Sequence, residues 1–125
     1  MNNKVMLGAL AGLSLLLASV PVQAQGSAAA KPTVMQVKLS EWTMGMGAMK
    51  VKGPVQFEVV NAGKYPHALA IEGKIGEQAF EVSTGWLKAG EKTTLSLNLP
   101  SGTYTSYCPV PGHEEKGMKS DLTFE

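Results

Sequence analysis

The sequence predicts an all-β sandwich, and three observations carry that prediction. Apolar residues recur at period two in several short segments, glycine and proline punctuate the intervals between them, and no stretch beyond the first two dozen residues sustains a helical period. Met35, Val37 and Leu39 alternate with Gln36 and Lys38, and Val55, Phe57 and Val59 alternate with Gln56 and Glu58, as in half-buried strands. Asn61-Ala62-Gly63-Lys64 has turn chemistry. The segment after it is expected to put His67, Leu69 and Ile71 on one face and Ala68, Ala70 and Glu72 on the other. Gly76 to Gly85 reads as a long connection holding one short turn or helix. Leu95, Leu97 and Leu99 alternate with Ser96 and Asn98. After a Pro100-Ser101-Gly102 turn, Tyr104, Ser106 and Cys108 share a face, as do Leu122 and Phe124 in the last strand. There is no internal repeat.

The chain has 125 residues. Lys4 near its start, an apolar stretch from Val5 to Val20, and a small-residue cleavage site at Val22-Gln23-Ala24 have the layout of an export signal over residues 1–24. The stretch, diluted by Gly8, Gly12 and Ser14 and closed by Pro21, is shorter than the roughly 20 residues that span a bilayer. No cysteine follows it to carry a lipid. A soluble periplasmic or secreted product without a membrane anchor is therefore expected. Residues 25–33, small and polar, read as a flexible lead-in, and residues 34–125 as one domain. A mature chain of about 100 residues can bury one modest core, which excludes large multidomain enzymes. With Lys4 in the leader, ten lysines face ten acids. There is no arginine and no basic run, so nucleic-acid binding is excluded on charge.

One cysteine and two histidines are the chain's scarce chemistry. In an oxidising compartment the lone Cys108 has no disulfide partner, and metal ligation would occupy it. Cys108, His113 and Met118 are separated by four intervening residues each time in the loop CPVPGHEEKGM, and His67 lies 41 residues upstream of Cys108. Two nitrogens, one thiolate and a weak axial thioether form the ligand set of electron-transfer copper. Such a set suits both Cu(I) and Cu(II).

The run GTYTSYCPVPGHEEKGM, with the earlier PHALAIEG, resembles the blue-copper cupredoxins of the plastocyanin, azurin and auracyanin type. The resemblance implies an eight-stranded Greek-key sandwich with one type 1 copper at one end. His67, Cys108 and His113 would be its equatorial ligands and Met118 the axial one. It also implies a monomeric carrier of single electrons with no turnover of its own. Its partners would be transient redox proteins, donor and acceptor, such as a cytochrome or an oxidase. Tyr107 matches a position that serves some members as a second electron port. Two positions depart from the pattern. Ala68 and Pro109 stand where many members carry side chains that tie the two ligand loops together, so rigidity is expected from Pro109 and Pro111 instead. The amides of Ala68 and Val110 are the expected donors to the Cys108 sulfur. Electrons are expected to leave by the His113 edge, through a small apolar patch that includes Val110 and Leu69.

Each residue also has a plainer reading. Cys108 alone reads as a small buried hydrophobe, His67 as a satisfied core histidine, His113 as a loop residue and Met118 as a core cap. Only together do spacing and residue type favour copper. Zinc accepts Cys and His, but the thioether speaks for copper. A copper-delivery protein with the same ligands and a Cys-His thiol enzyme are the alternatives. The enzyme lacks a third member to orient its histidine. Met44, Met46 and Met49 read as strand and loop packing, with a Cu(I) docking site as the second reading. Trp42 and Trp86 are expected to pack.

Overall fold

The computed structural model describes residues 31–125, so the expected leader and most of the lead-in lie outside the described residues. Eight strands form two sheets: β1 (Thr33–Leu39), β2 (Met49–Val51), β3 (Val55–Asn61), β4 (Ala70–Ile75), β5 (Gln78–Ser83), β6 (Lys92–Leu97), β7 (Gly102–Tyr107) and β8 (Lys119–Phe124). Thr33, the last residue of the expected lead-in, opens β1. One sheet has the order β1-β3-β6 and the other β2-β8-β7-β4-β5. Only β4–β5 and β7–β8 are consecutive neighbours within a sheet; every other connection crosses the sandwich. The all-β sandwich expected from the alternation is the fold observed.

The alternating residues close the core. Val37 and Leu39 of β1 and Val55, Phe57 and Val59 of β3 are fully buried on one sheet. They face Ile71, Tyr104, Leu122 and Phe124 of the other, all within one hydrophobic cluster. Fully burying each such side chain contributes about 1.5–3 kcal/mol, which is why the period-two pattern specifies the register. Tyr104 reaches across the β6–β7 crossover, its hydroxyl donating to the Pro100 carbonyl at 2.7 Å. Met44 and Met46 are buried in the same cluster and Met49 packs against it, which matches their packing role.

Three expectations are corrected. Gly76 to Gly85 holds no helix; most of it is β5, returning from β4 through a two-residue turn at Gly76-Glu77, with Ile75 opposite Gln78. Gly76 has φ +61° and Glu77 a negative φ, the pattern of a type II′ hairpin turn. The weak alternation of an edge strand, with only Phe80 and Val82 partly buried, had concealed it. Second, Ala68 and Ala70 are as buried as His67, Leu69 and Ile71, because this segment is covered on both faces. Third, Trp86 is 60% exposed and does not pack into the core.

Candidate metal centre

One end of the sandwich is built from three connections. Pro66 leads into His67, whose backbone forms a bridge with Leu87: the His67 amide donates to the Leu87 carbonyl at 3.1 Å and the Leu87 amide to the His67 carbonyl at 2.8 Å. Asn61, at the end of β3, fixes the same loop. Its side-chain amide donates to the carbonyls of Tyr65 and Leu87, both at 2.8 Å, and its side-chain oxygen accepts from the Gly63 amide at 2.9 Å. Cys108 follows directly on β7, and its amide donates to the Met118 carbonyl at 3.0 Å. Between them the chain coils through tight turns. The His113 amide donates to the Val110 carbonyl at 3.1 Å, and the Met118 amide returns to the His113 carbonyl at 3.2 Å. Gly112 (φ +83°) and Gly117 (φ +117°) supply backbone conformations that side chains disfavour.

The loop thereby turns its chemistry inward. His67 Nδ1 and His113 Nδ1 lie 3.1 Å apart, and Cys108 Sγ lies 3.5 Å from His113 Nδ1. These three ligand atoms all fall within 4.8 Å of one another. A tetrahedral metal with bonds of about 2.0 Å to nitrogen and 2.3 Å to sulfur separates its nitrogens by roughly 3.3 Å and nitrogen from sulfur by roughly 3.5 Å. The donor set and its spacing fit a bound metal ion. Cys108 is 1% exposed, His67 and Met118 are fully buried and His113 is 8% exposed. Burial, and then the neighbouring His67, push the His113 pKa down. The neutral imidazole, which is the form that binds a metal, is favoured.

Two residues that sequence reasoning gave no site role surround the histidines. Glu41 Oε1 accepts from the amides of Lys64 (2.6 Å) and Tyr65 (2.9 Å) and lies 3.2 Å from His67 Nε2. The Tyr65 amide, the largest of several causes, holds the Glu41 carboxyl down at about 2. Trp42 presents to His113 edge to face with centroids 5.0 Å apart, and to His67 at 6.4 Å. It stacks on Tyr65 at 5.9 Å, and Lys116 Nζ sits 4.8 Å over its ring. Trp42 does pack, as expected, but on the histidines. The rigidity expected from Pro109 and Pro111 thus has other visible sources in Asn61 and Glu41. Neither the Ala68 nor the Val110 amide donates to the sulfur; its hydrogen-bonding contact among the described residues is the His113 ring. Leu69 is fully buried and no part of an exit patch. Tyr107 does lie toward the surface, its hydroxyl donating to Glu81 Oε2 at 2.7 Å, which pushes the phenol up to about 12.

Fold and site together define a cupredoxin architecture: an eight-stranded, two-sheet sandwich with a His-Cys-His cluster at one end. Among solved structures the chain is similar to auracyanin B, with a TM-score of 0.63 and 20% identity over 74% of this chain and 88% of that one. It is similar to the dithionite-reduced auracyanin of the photosynthetic bacterium Roseiflexus castenholzii, with a TM-score of 0.57 and 16% identity over 74% and 97%. A methionine-to-glutamine variant of amicyanin in its Cu(I) form has a TM-score of 0.55 and 18% identity over 74% and 82%. No protein-family model and no curated protein sequence matches the chain.

Proposed function

We propose that this protein is an exported type 1 copper protein that carries single electrons between redox partners. The observation that carries the reading is the convergence of two imidazole nitrogens and the only thiol within 4.8 Å, buried at the end of a cupredoxin fold. His67, Cys108 and His113 would hold the copper, with Met118 as a weaker fourth ligand. Met118 is fully buried and its backbone is hydrogen-bonded to both Cys108 and His113, which keeps it beside them and supports that role. When bound, copper supplies a one-electron Cu(II)/Cu(I) couple. The chain holds the donors in fixed directions and keeps water from the thiolate, so that little has to move when the charge changes.

Residues 1–24 would be the cleaved export signal and the residues from 25 up to β1 the lead-in to a periplasmic or secreted monomer. The structural neighbours include a dithionite-reduced auracyanin and a Cu(I) amicyanin variant, which supports the redox reading. Transient partners would take the electron near His113, the one ligand whose ring is not wholly buried, beside half-buried Val110 and exposed Pro111 and Gly112. The delivery alternative is disfavoured by ligands this deeply held. A thiol enzyme is disfavoured because a nucleophile at 1% exposure has no approach for a substrate.

Titration of the mature protein with Cu(II) tests the reading. One equivalent should produce an intense thiolate-to-copper band in the visible region. Cys108→Ser should abolish it, because no other thiol exists in the chain. Met118→Gln should keep the copper and lower the potential, since a harder axial oxygen favours Cu(II). A colourless wild-type protein, or a band that survives Cys108→Ser, overturns the proposal.

A further inference from the structure

We infer that Glu41 is the positioning residue of the copper centre, orienting His67 and biasing the couple toward Cu(II). The inference rests on the copper reading above and adds a residue that the four-ligand set does not contain.

Glu41 leaves the end of β1 and returns its carboxylate over the His67 loop. Three N–H groups of that loop converge on Oε1: the amides of Lys64 and Tyr65, and the His67 Nε2 at 3.2 Å. The approach is so close that a Cβ added at Gly63 would lie 2.5 Å from Oε1 and 2.8 Å from Oε2. Glycine is therefore required at residue 63 for the carboxylate to reach its place. The His67 side chain is fully buried and that of Glu41 is a quarter exposed, so the pair is shielded on the histidine side and wet on the other.

The chemistry follows from which ring nitrogen carries the proton. A carboxylate at Nε2 can only accept, so Nε2 keeps its hydrogen and Nδ1 presents its lone pair. Nδ1 is the atom that faces His113 Nδ1 at 3.1 Å. Glu41 thus selects the ligating tautomer and fixes the ring plane before any metal arrives. Its charge also polarises the imidazole and makes Nδ1 a stronger donor, which stabilises the more highly charged Cu(II) over Cu(I). The two histidines are consequently unequal. Among the described residues His113 has no carboxylate hydrogen-bonded to its ring, and Trp42 covers its side instead.

Two variants separate this role from a merely structural one. Glu41→Gln keeps the shape and an accepting oxygen but removes the charge. It should retain the visible band and raise the midpoint potential, with the Cu(I)-to-Cu(II) affinity ratio shifting about tenfold, equivalent to about 59 mV for one electron. Gly63→Ala leaves Glu41 chemically intact and displaces its carboxylate. In copper-free protein, nitrogen-resolved NMR should show a slowly exchanging His67 Nε2–H in the wild type, and Gly63→Ala should expose it to exchange. An unchanged or lower potential in Glu41→Gln, or a His67 Nε2–H as protected in Gly63→Ala as in the wild type, overturns the inference. A colourless wild type would overturn the copper reading itself, while the NMR comparison, which uses no copper, would still decide whether Glu41 orients His67.

Discussion

Tyr104 and Tyr107 sit three residues apart on one strand and do opposite things because β-strand side chains alternate. Tyr104 is buried against Phe80 and Phe124, with ring centroids 5.7 and 5.8 Å away, and its hydroxyl is satisfied by Pro100. Tyr104→Phe keeps the ring packing and leaves that carbonyl short of a partner. A loss of about 1 kcal/mol is expected in urea unfolding, with the copper band unchanged. Tyr107 instead points outward to Glu81, whose carboxylate accepts the phenol proton's hydrogen bond and raises its pKa to about 12. The folded value lies above the unfolded one of about 10, so the protonated phenol stabilises the fold fully below pH 10. That contribution is lost as pH rises toward 12. In metal-free protein, Glu81→Gln should bring the Tyr107 transition, identified in tyrosinate absorbance by its loss in Tyr107→Phe, down toward 10. A transition that stays near 12 would show that Glu81 is not its cause.

At the scale of elements, alternation was readable where a strand has core on one face and water on the other. β1, β3 and β7 are of this kind, and Val37, Phe57 and Tyr104 are buried as their period requires. The signal failed where that asymmetry ends. The segment from His67 to Ile71 is buried on both faces, so alternation cannot assign its sides. β5 lies at a sheet edge and is mostly exposed. Gly73 of β4 also has a packing reason that no single-strand pattern reveals, since an added Cβ would meet Tyr104 Cδ1 at 2.6 Å. The cluster of His67, Cys108 and His113 was readable because the chain has one cysteine and two histidines, and the Cys108–His113 pair shares one loop. Glu41 was not, because its meaning depends on a loop more than 20 residues away folding beneath it. The turn that makes the β4–β5 hairpin is the testable point. Gly76→Val forces a branched side chain into φ +61° with open space around it, so the cost is backbone strain alone. It should destabilise the domain by about 1–2 kcal/mol by the denaturation midpoint, while Glu77→Val should cost less than half as much.

For the whole molecule, the question is whether the metal makes the site or enters one already made. His67 is held by Leu87 and Glu41, the Cys108 and Met118 backbones are bonded to each other, and the His113 turn closes on Met118. None of these bonds needs a metal. The site also shares its buried walls with the core, since Cys108 and Met118 belong to the same cluster as Phe57 and Leu122. The metal-free protein should therefore show its β-sheet signature and near-ultraviolet dichroism, and lose both in one cooperative unfolding transition. Copper then acts as a ligand of the native state, stabilising it by about 4 kcal/mol when free metal stands at 1,000 times the dissociation constant. For a domain of about 100 residues that is a rise in Tm of more than about 15 °C. Calorimetry without copper and with excess free Cu(II) at that level measures it, and Cys108→Ser is the control, expected to unfold cooperatively but to gain far less from copper. A metal-free protein lacking a cooperative transition would mean that copper builds this end of the sandwich. The backbone bonds around Cys108, His113 and Met118 would then be a consequence of the metal and not the cause of its geometry.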